Sequence, residues 1–219
     1  GVIGYLIGSL VSILSKKDPV VSNYIENVEL LTHTLKRRDL PVSLQKRILS
    51  YYSYLRDERM GYDESTFLES LPESLKDETS FHLKKDFIEE IHLFKNASDK
   101  FIYEVALKLE LVVAIPGEYI FKYGDHGKDM YFIISGQLQV LGKDGEFINI
   151  LKEGDFFGEI ALIKSVTRSA SIKAISYCNL YVLKSQTFKQ MIDLHPEIVE
   201  QIEEKAKLRE QRLVDRNLR

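Results

Sequence analysis

The chain has 219 residues, 44% of them hydrophobic with 12 Tyr and 11 Phe, enough to bury the core of one or two compact domains. Its 30 Lys+Arg against 33 Asp+Glu leave a net charge of -3, which removes the basic footprint that a nucleic-acid partner requires. One cysteine, Cys178, excludes an internal disulfide and fits a reducing compartment.

In chain order, Gly1 to Leu14 comes first and is apolar apart from glycine and serine. It is shorter than the ~20 residues a membrane span needs, and it lacks the basic start and cleavage site of a secretory signal. Gly4 and Gly8 have the small-xxx-small spacing that lets membrane helices approach closely. Two readings stay open: the start of a buried helix, or the cut end of a transmembrane helix leaving through Lys16, Lys17 and Asp18. On the second reading the chain is a fragment of something longer.

Asp18-Pro19 predicts the cap and first position of a helix running to about Arg38, with Val21, Tyr24, Ile25, Val28 and Leu31 apolar. Pro41 opens a second helix, with Leu44, Ile48, Tyr51, Tyr52 and Leu55 at helical spacing, and Gly61 breaks it. Shorter helical stretches are expected next, Pro72 in the first position of one and Phe87, Ile88 and Ile91 in the last. Asp99 to Leu109 continues as helix. Tyr51, Tyr52, Tyr54 and Tyr62 form an aromatic surface that suits either a core or a neighbouring copy.

After Leu109 the texture changes. Eight of the 12 glycines fall between Gly117 and Gly158. They separate short β-branched or aromatic runs at Leu111–Ile115, Tyr119–Phe121, Met130–Ile134, Leu138–Leu141 and Phe147–Leu151, followed by Ser169–Ile175 and Asn179–Leu183. Such short strands with regular turn signals predict an antiparallel barrel or roll, and Lys143-Asp144-Gly145 has hairpin-turn chemistry. Helix returns at Thr187–Leu194, and Pro196 starts another. The expected fold class is α+β: a helical region, then an antiparallel, jelly-roll-like β-roll flanked by helices.

The chemistry concentrates in Gly154-Asp-Phe-Phe-Gly-Glu-Ile-Ala-Leu162 and Thr167-Arg-Ser-Ala-Ser171. A short helix starting near Gly158 presents the unpaired N–H groups of Glu159, Ile160 and Ala161 to an anion, and glycine admits a phosphate close to the backbone. Arg168 is the only arginine between Arg59 and Arg209. Its guanidinium offers phosphate a fork of donors that lysine lacks. A carboxylate here repels phosphate, so Glu159 makes sense as the acceptor of a nearby sugar hydroxyl. Phosphate and sugar hydroxyl side by side describe a nucleotide.

Phe157-Gly-Glu-Ile-Ala-Leu162 with Arg168-Ser169-Ala170 resembles the phosphate-binding cassette of cyclic-nucleotide-binding domains. Asn23 to Asn96 resembles the C-linker of cyclic-nucleotide-gated and hyperpolarisation-activated cyclic-nucleotide-modulated channels, above all at Leu40–Tyr52 and Leu71–Glu78. The resemblance implies three parts: residues 1–18 as the cytoplasmic end of a pore-lining helix, 19–96 as a helical C-linker for assembly and coupling, and 97–219 as the binding domain. It implies that Arg168 holds the exocyclic phosphate, Glu159 the ribose 2′-hydroxyl, and Gly158, Ile160 and Ala161 backbone contacts. Ser169 stands where channels often have threonine, and Val140 and Leu151 match apolar residues flanking the base. Arg209, Arg212 and Leu213 match positions over the purine, although arginines near a helix end also suit its dipole.

The implied ligand is cAMP, with cGMP possible, and no cofactor. Cyclic-GMP-selective channels are expected to carry an acid at the Leu213 position, so leucine predicts cAMP at least as effective as cGMP. The implied partners are the cyclic nucleotide, the chain's own transmembrane pore domain and a homo-tetramer formed through the C-linker, with no nucleic acid. The implied place is the cytoplasmic side of the cell membrane.

An enzyme is not expected. The histidines (His33, His82, His92, His126, His195) are scattered without metal-ligand spacing and no phosphate-binding P-loop is present, so no catalytic or metal residue is assigned. Lys84, Lys85, Lys122 and Lys128 read as solvated, and Cys178 as a small buried hydrophobe in a strand. A transcription factor needs a helix-turn-helix after the last helix. The remaining alternatives are a cyclic-nucleotide-binding module of a non-channel protein, or a channel domain whose pocket binds no nucleotide.

Overall fold

The computed structural model describes residues 37, 40–59, 64–94, 97–127, 129–164, 166–194, 200, 202–209 and 211. The chain divides into two compact units, Gly1–Phe67 and Leu68–Arg219. The apolar opening segment, the helix expected up to Arg38, Tyr62, Lys128 and the Pro196 helix start lie outside the described residues. Among the described residues no helix is long and apolar enough to cross a membrane.

In the first unit, Pro41 stands just before helix α1 (Val42–Arg59), and its carbonyl accepts from Leu44 N and Gln45 N. The Gln45 amide also donates to Leu40 O at 2.7 Å, tying the entry to the first turn. Tyr51 and Tyr52 meet edge to face at 5.7 Å. The short helix α2 (Glu64–Glu69) crosses the boundary between the two units at Phe67–Leu68.

The second unit opens with one long helix where several short ones were expected. Helix α3 (Glu73–Glu90) runs 18 residues, and Pro72 is its extended N-cap rather than its first position. The stretch holds no glycine or proline, so nothing local interrupts it. A 3₁₀ turn (His92–Phe94) leads to helix α4 (Asp99–Lys108), whose N-cap Ser98 accepts from Phe101 N at 3.3 Å.

Among the described residues eight strands follow: β1 (Glu110–Ala114), β2 (Tyr119–Phe121), β3 (Asp129–Ser135), β4 (Gln137–Leu141), β5 (Phe147–Lys152), β6 (Phe156–Phe157), β7 (Ser171–Ala174) and β8 (Cys178–Lys184). They form two four-stranded antiparallel sheets, ordered β1-β8-β3-β6 and β2-β7-β4-β5, so the roll does not close into a barrel. β6, too short to show a periodicity, is absent from the sequence reading. Helix α5 (Glu159–Lys164) sits between β6 and β7, and helix α6 (Ser185–Leu194) follows β8, with a last helical run at 202–209.

Period-2 alternation gives β3 and β8 two buried faces. Met130, Phe132, Tyr181 and Leu183 join a core with Ile88, Phe94, Phe101, Val105, Phe188 and Ile202 from the helices. Ile133, Leu180 and Cys178 face the other way, into a core with Leu138, Leu151, Phe157 and Ile172 between the sheets. Cys178 is fully buried there, and burial pushes its thiol pKa up.

Lys84 corrects the sequence reading: it is buried at 4% exposure, because helix α3 turns that face onto α4. Its Nζ donates to Ser80 Oγ (2.9 Å), Ala106 O (3.2 Å) and Leu109 O (2.8 Å). The ammonium thus caps carbonyls that the end of α4 leaves without helical partners. Lys84→Ala strips that donor from a buried site and is expected to lower stability by at least about 2 kcal/mol in chemical denaturation. A cost under about 0.5 kcal/mol would show that the cap is dispensable.

Candidate functional site

The turn between β6 and α5 depends on Gly158. Its φ is +90°, and an added Cβ would lie 2.8 Å from Asp129 O and 2.8 Å from Arg168 Nη1. Only glycine takes that backbone without strain and leaves that room. The turn sets Glu159 at the start of α5, where it is 1% exposed.

Arg168 comes to the same place from the strand side and is 5% exposed. Its backbone is pinned to the loop before β3: Arg168 N donates to Asp125 O and Gly124 N to Arg168 O, beside the His126–Thr167 bridge. Nη1 donates to Gly158 O at 2.8 Å and Nη2 to Asp129 O at 2.9 Å. The guanidinium lies over the Phe121 ring at 4.0 Å. Burial lowers its pKa from the ordinary arginine value, and Tyr131, Asp129, Glu159 and Asp125 pull it back up. Arginine remains charged across such shifts.

Two features leave that charge incomplete. Among the described residues no carboxylate lies within ion-pair distance of Arg168, and its buried Nε has no hydrogen-bond partner. A buried donor left unpaired costs about 1–3 kcal/mol. Glu159 is already neutralised: Arg209 Nη1 donates to its Oε1 at 2.6 Å, with the Arg209 guanidinium 4.8 Å from the Phe156 ring. This answers how a buried carboxylate tolerates an anion site. Arg209 offsets much of that charge, so the carboxylate repels an anion at Arg168 less than an unpaired one would.

These groups border a cavity of about 720 Å³. Gly158, Glu159, Ile160, Ala161, Arg168 and Ser169 line its cassette side. Val140 and Leu151 line the sheet side and Arg209 the helix side. The structure therefore brings nine of the expected residues to one cavity, while Arg212 and Leu213 lie outside the described residues.

Sequence reasoning missed Phe121, Gly127, Asn149 and Lys205. Phe121 and Gly127 contact the Arg168 guanidinium, and Asn149 and Lys205 line the cavity. Lys205 carried a signal, since it stands one helical turn before Arg209, and its Nζ lies 5.0 Å from the same Phe156 ring. Asn149 carried another, as the one polar residue inside the apolar run Phe147–Leu151.

Comparison with known proteins agrees with this geometry. The family profile of the cyclic nucleotide-binding domain matches residues 111–195. The chain is 29% identical over 97% of its length to the human "Cyclic nucleotide-gated channel alpha-3", covering 32% of that protein. It is 28% identical over 92% of its length to the chicken "Cyclic nucleotide-gated channel cone photoreceptor subunit alpha", covering 28% of it. It is 33% identical over 87% of its length to the rabbit "Potassium/sodium hyperpolarization-activated cyclic nucleotide-gated channel 4", covering 16%. The chain thus spans a third or less of the length of these channels. It carries a cyclic nucleotide-binding domain and is homologous across most of its length to the cyclic nucleotide-gated and hyperpolarisation-activated cyclic nucleotide-gated channels.

Proposed function

We propose that the chain is the ligand-sensing region of a cyclic-nucleotide-regulated cation channel on the cytoplasmic side of the membrane, with cAMP bound at least as well as cGMP. The observation that carries this reading is the Arg168 guanidinium: buried beside an open cavity, with Nε unpaired and no carboxylate partner among the described residues. An exocyclic phosphate supplies the missing counter-charge. The ribose 2′-hydroxyl donates to Glu159, whose Oε1 already accepts from Arg209. The base lies along Val140 and Leu151 on the sheet side, and Gly158, Ile160, Ala161 and Ser169 contact the phosphate side.

The helix carrying Arg209 joins the cassette through Glu159, so ligand and helix meet at one carboxylate. Ligand shifts the population towards the state with this helix closed, by no more than its differential affinity for the two states. Residues 1–18 then act as the end of a pore helix, 19–96 as the C-linker of a homo-tetramer and 97–219 as the sensor. Calorimetric titration of the chain with cAMP is expected to give a saturable one-site isotherm, with cGMP no tighter. No heat from either nucleotide would falsify the reading.

A further inference from the structure

The inner face of the β2-β7-β4-β5 sheet is apolar almost throughout. Residues in register alternate, so Leu138 and Val140 on β4, Leu151 on β5, and Ile172 and Ala174 on β7 point the same way, into the core and the cavity. Asn149 is two residues from Leu151 and pairs directly with Val140, which puts it on that face. It lines the cavity, its carboxamide makes no hydrogen bond within the described residues, and the sheet neighbours around it offer no polar side chain. An exposed amide on an otherwise greasy wall brings a donor and an acceptor, without a protein partner among the described residues, to the space a base occupies.

We infer that Asn149 reads the purine and selects adenine. This rests on the proposal above that a cyclic nucleotide fills the cavity with its base against this sheet. A carboxamide pairs with adenine through two bonds, Oδ1 accepting from the N6 amino group and Nδ2 donating to N7. The same edge of guanine presents O6 and N7, both acceptors, so one of the two bonds is lost and Oδ1 faces another oxygen. Asn149 thereby becomes a specificity residue separate from the phosphate cassette.

The test measures calorimetric affinities of the wild-type chain and Asn149→Leu for cAMP, cGMP and 7-deaza-cAMP, in which N7 is replaced by CH. β5 is an edge strand and Asn149 is exposed, so leucine leaves the fold intact, which an unchanged melting temperature verifies. Wild type is expected to lose roughly tenfold on going from cAMP to 7-deaza-cAMP. Asn149→Leu is expected to bind cAMP roughly tenfold more weakly and to treat the two adenine ligands alike. Its cGMP affinity changes far less. An unchanged cAMP/cGMP ratio in Asn149→Leu, or an equal penalty for 7-deaza-cAMP in both proteins, overturns the assignment. Absence of cAMP binding in the wild type itself removes the underlying ligand reading instead, so the two failures are told apart.

Discussion

Arg168→Ala is expected to lose about 2–5 kcal/mol of cAMP binding, roughly 30-fold or more in affinity, with the domain still folded. The large effect follows from where the charge sits. The guanidinium is buried, held by the carbonyls of Gly158 and Asp129 and stacked on Phe121, so it meets an anion already oriented and already stripped of water. Folding should suffer little by comparison. The substitution removes two hydrogen bonds to carbonyls, but also a buried cation with no carboxylate partner among the described residues, and these terms oppose one another. Arg168→Lys keeps the charge and loses the fork, so an intermediate loss is expected. Calorimetry alongside thermal melting separates binding from stability. An Arg168→Ala chain binding cAMP within about threefold of wild type would mean that the phosphate is held elsewhere.

Gly127→Ala is expected to cost roughly tenfold or more in cAMP affinity, although Gly127 lies outside the cassette. A Cβ at position 127 would stand 2.6 Å from Arg168 Cζ, closer still to Nε, and 2.8 Å from Ala161 Cβ. The glycine and the Phe121 ring together leave a slot for the guanidinium. The backbone at 127 is not in the left-handed region, so alanine is unstrained in backbone conformation. The flexible end of Arg168 leaves its place, and Ala161 on α5 must shift as well, so some stability is lost alongside binding. Gly124→Ala is the matched control. Its φ of +84° strains alanine while nothing lies within 4 Å of the added carbon, so about 1 kcal/mol of stability is lost and binding is kept. If Gly127→Ala binds normally, the guanidinium does not need the position seen here.

Local chemistry made much of this protein legible in its sequence. Glycines and β-branched runs marked seven of the eight strands, and Cys178 read correctly as a small buried hydrophobe. The cassette from Gly154 to Leu162 was readable because its turn, helix start and carboxylate are consecutive residues. The two-residue β6 and the full length of α3 were less so: the first is too short for a period, and the second kept its polar residues on nearly every side. Lys84 illustrates the limit. A lysine among charged neighbours reads as solvated, and only the packing of α3 on α4 makes it a cap.

The same division runs through the site. Sequence by itself determined which residues carry the charge, the carboxylate and the tight turn, because those properties belong to side chains and to neighbours along the chain. Tertiary structure alone decided that Arg209 neutralises Glu159 across 50 residues. It also decided that Phe121 and Gly127 enclose Arg168, and that Asn149 lines the cavity beside Val140 and Leu151. Those are facts of strand register and helix docking. Pairing energies between distant segments set them, and no stretch of consecutive residues contains that information.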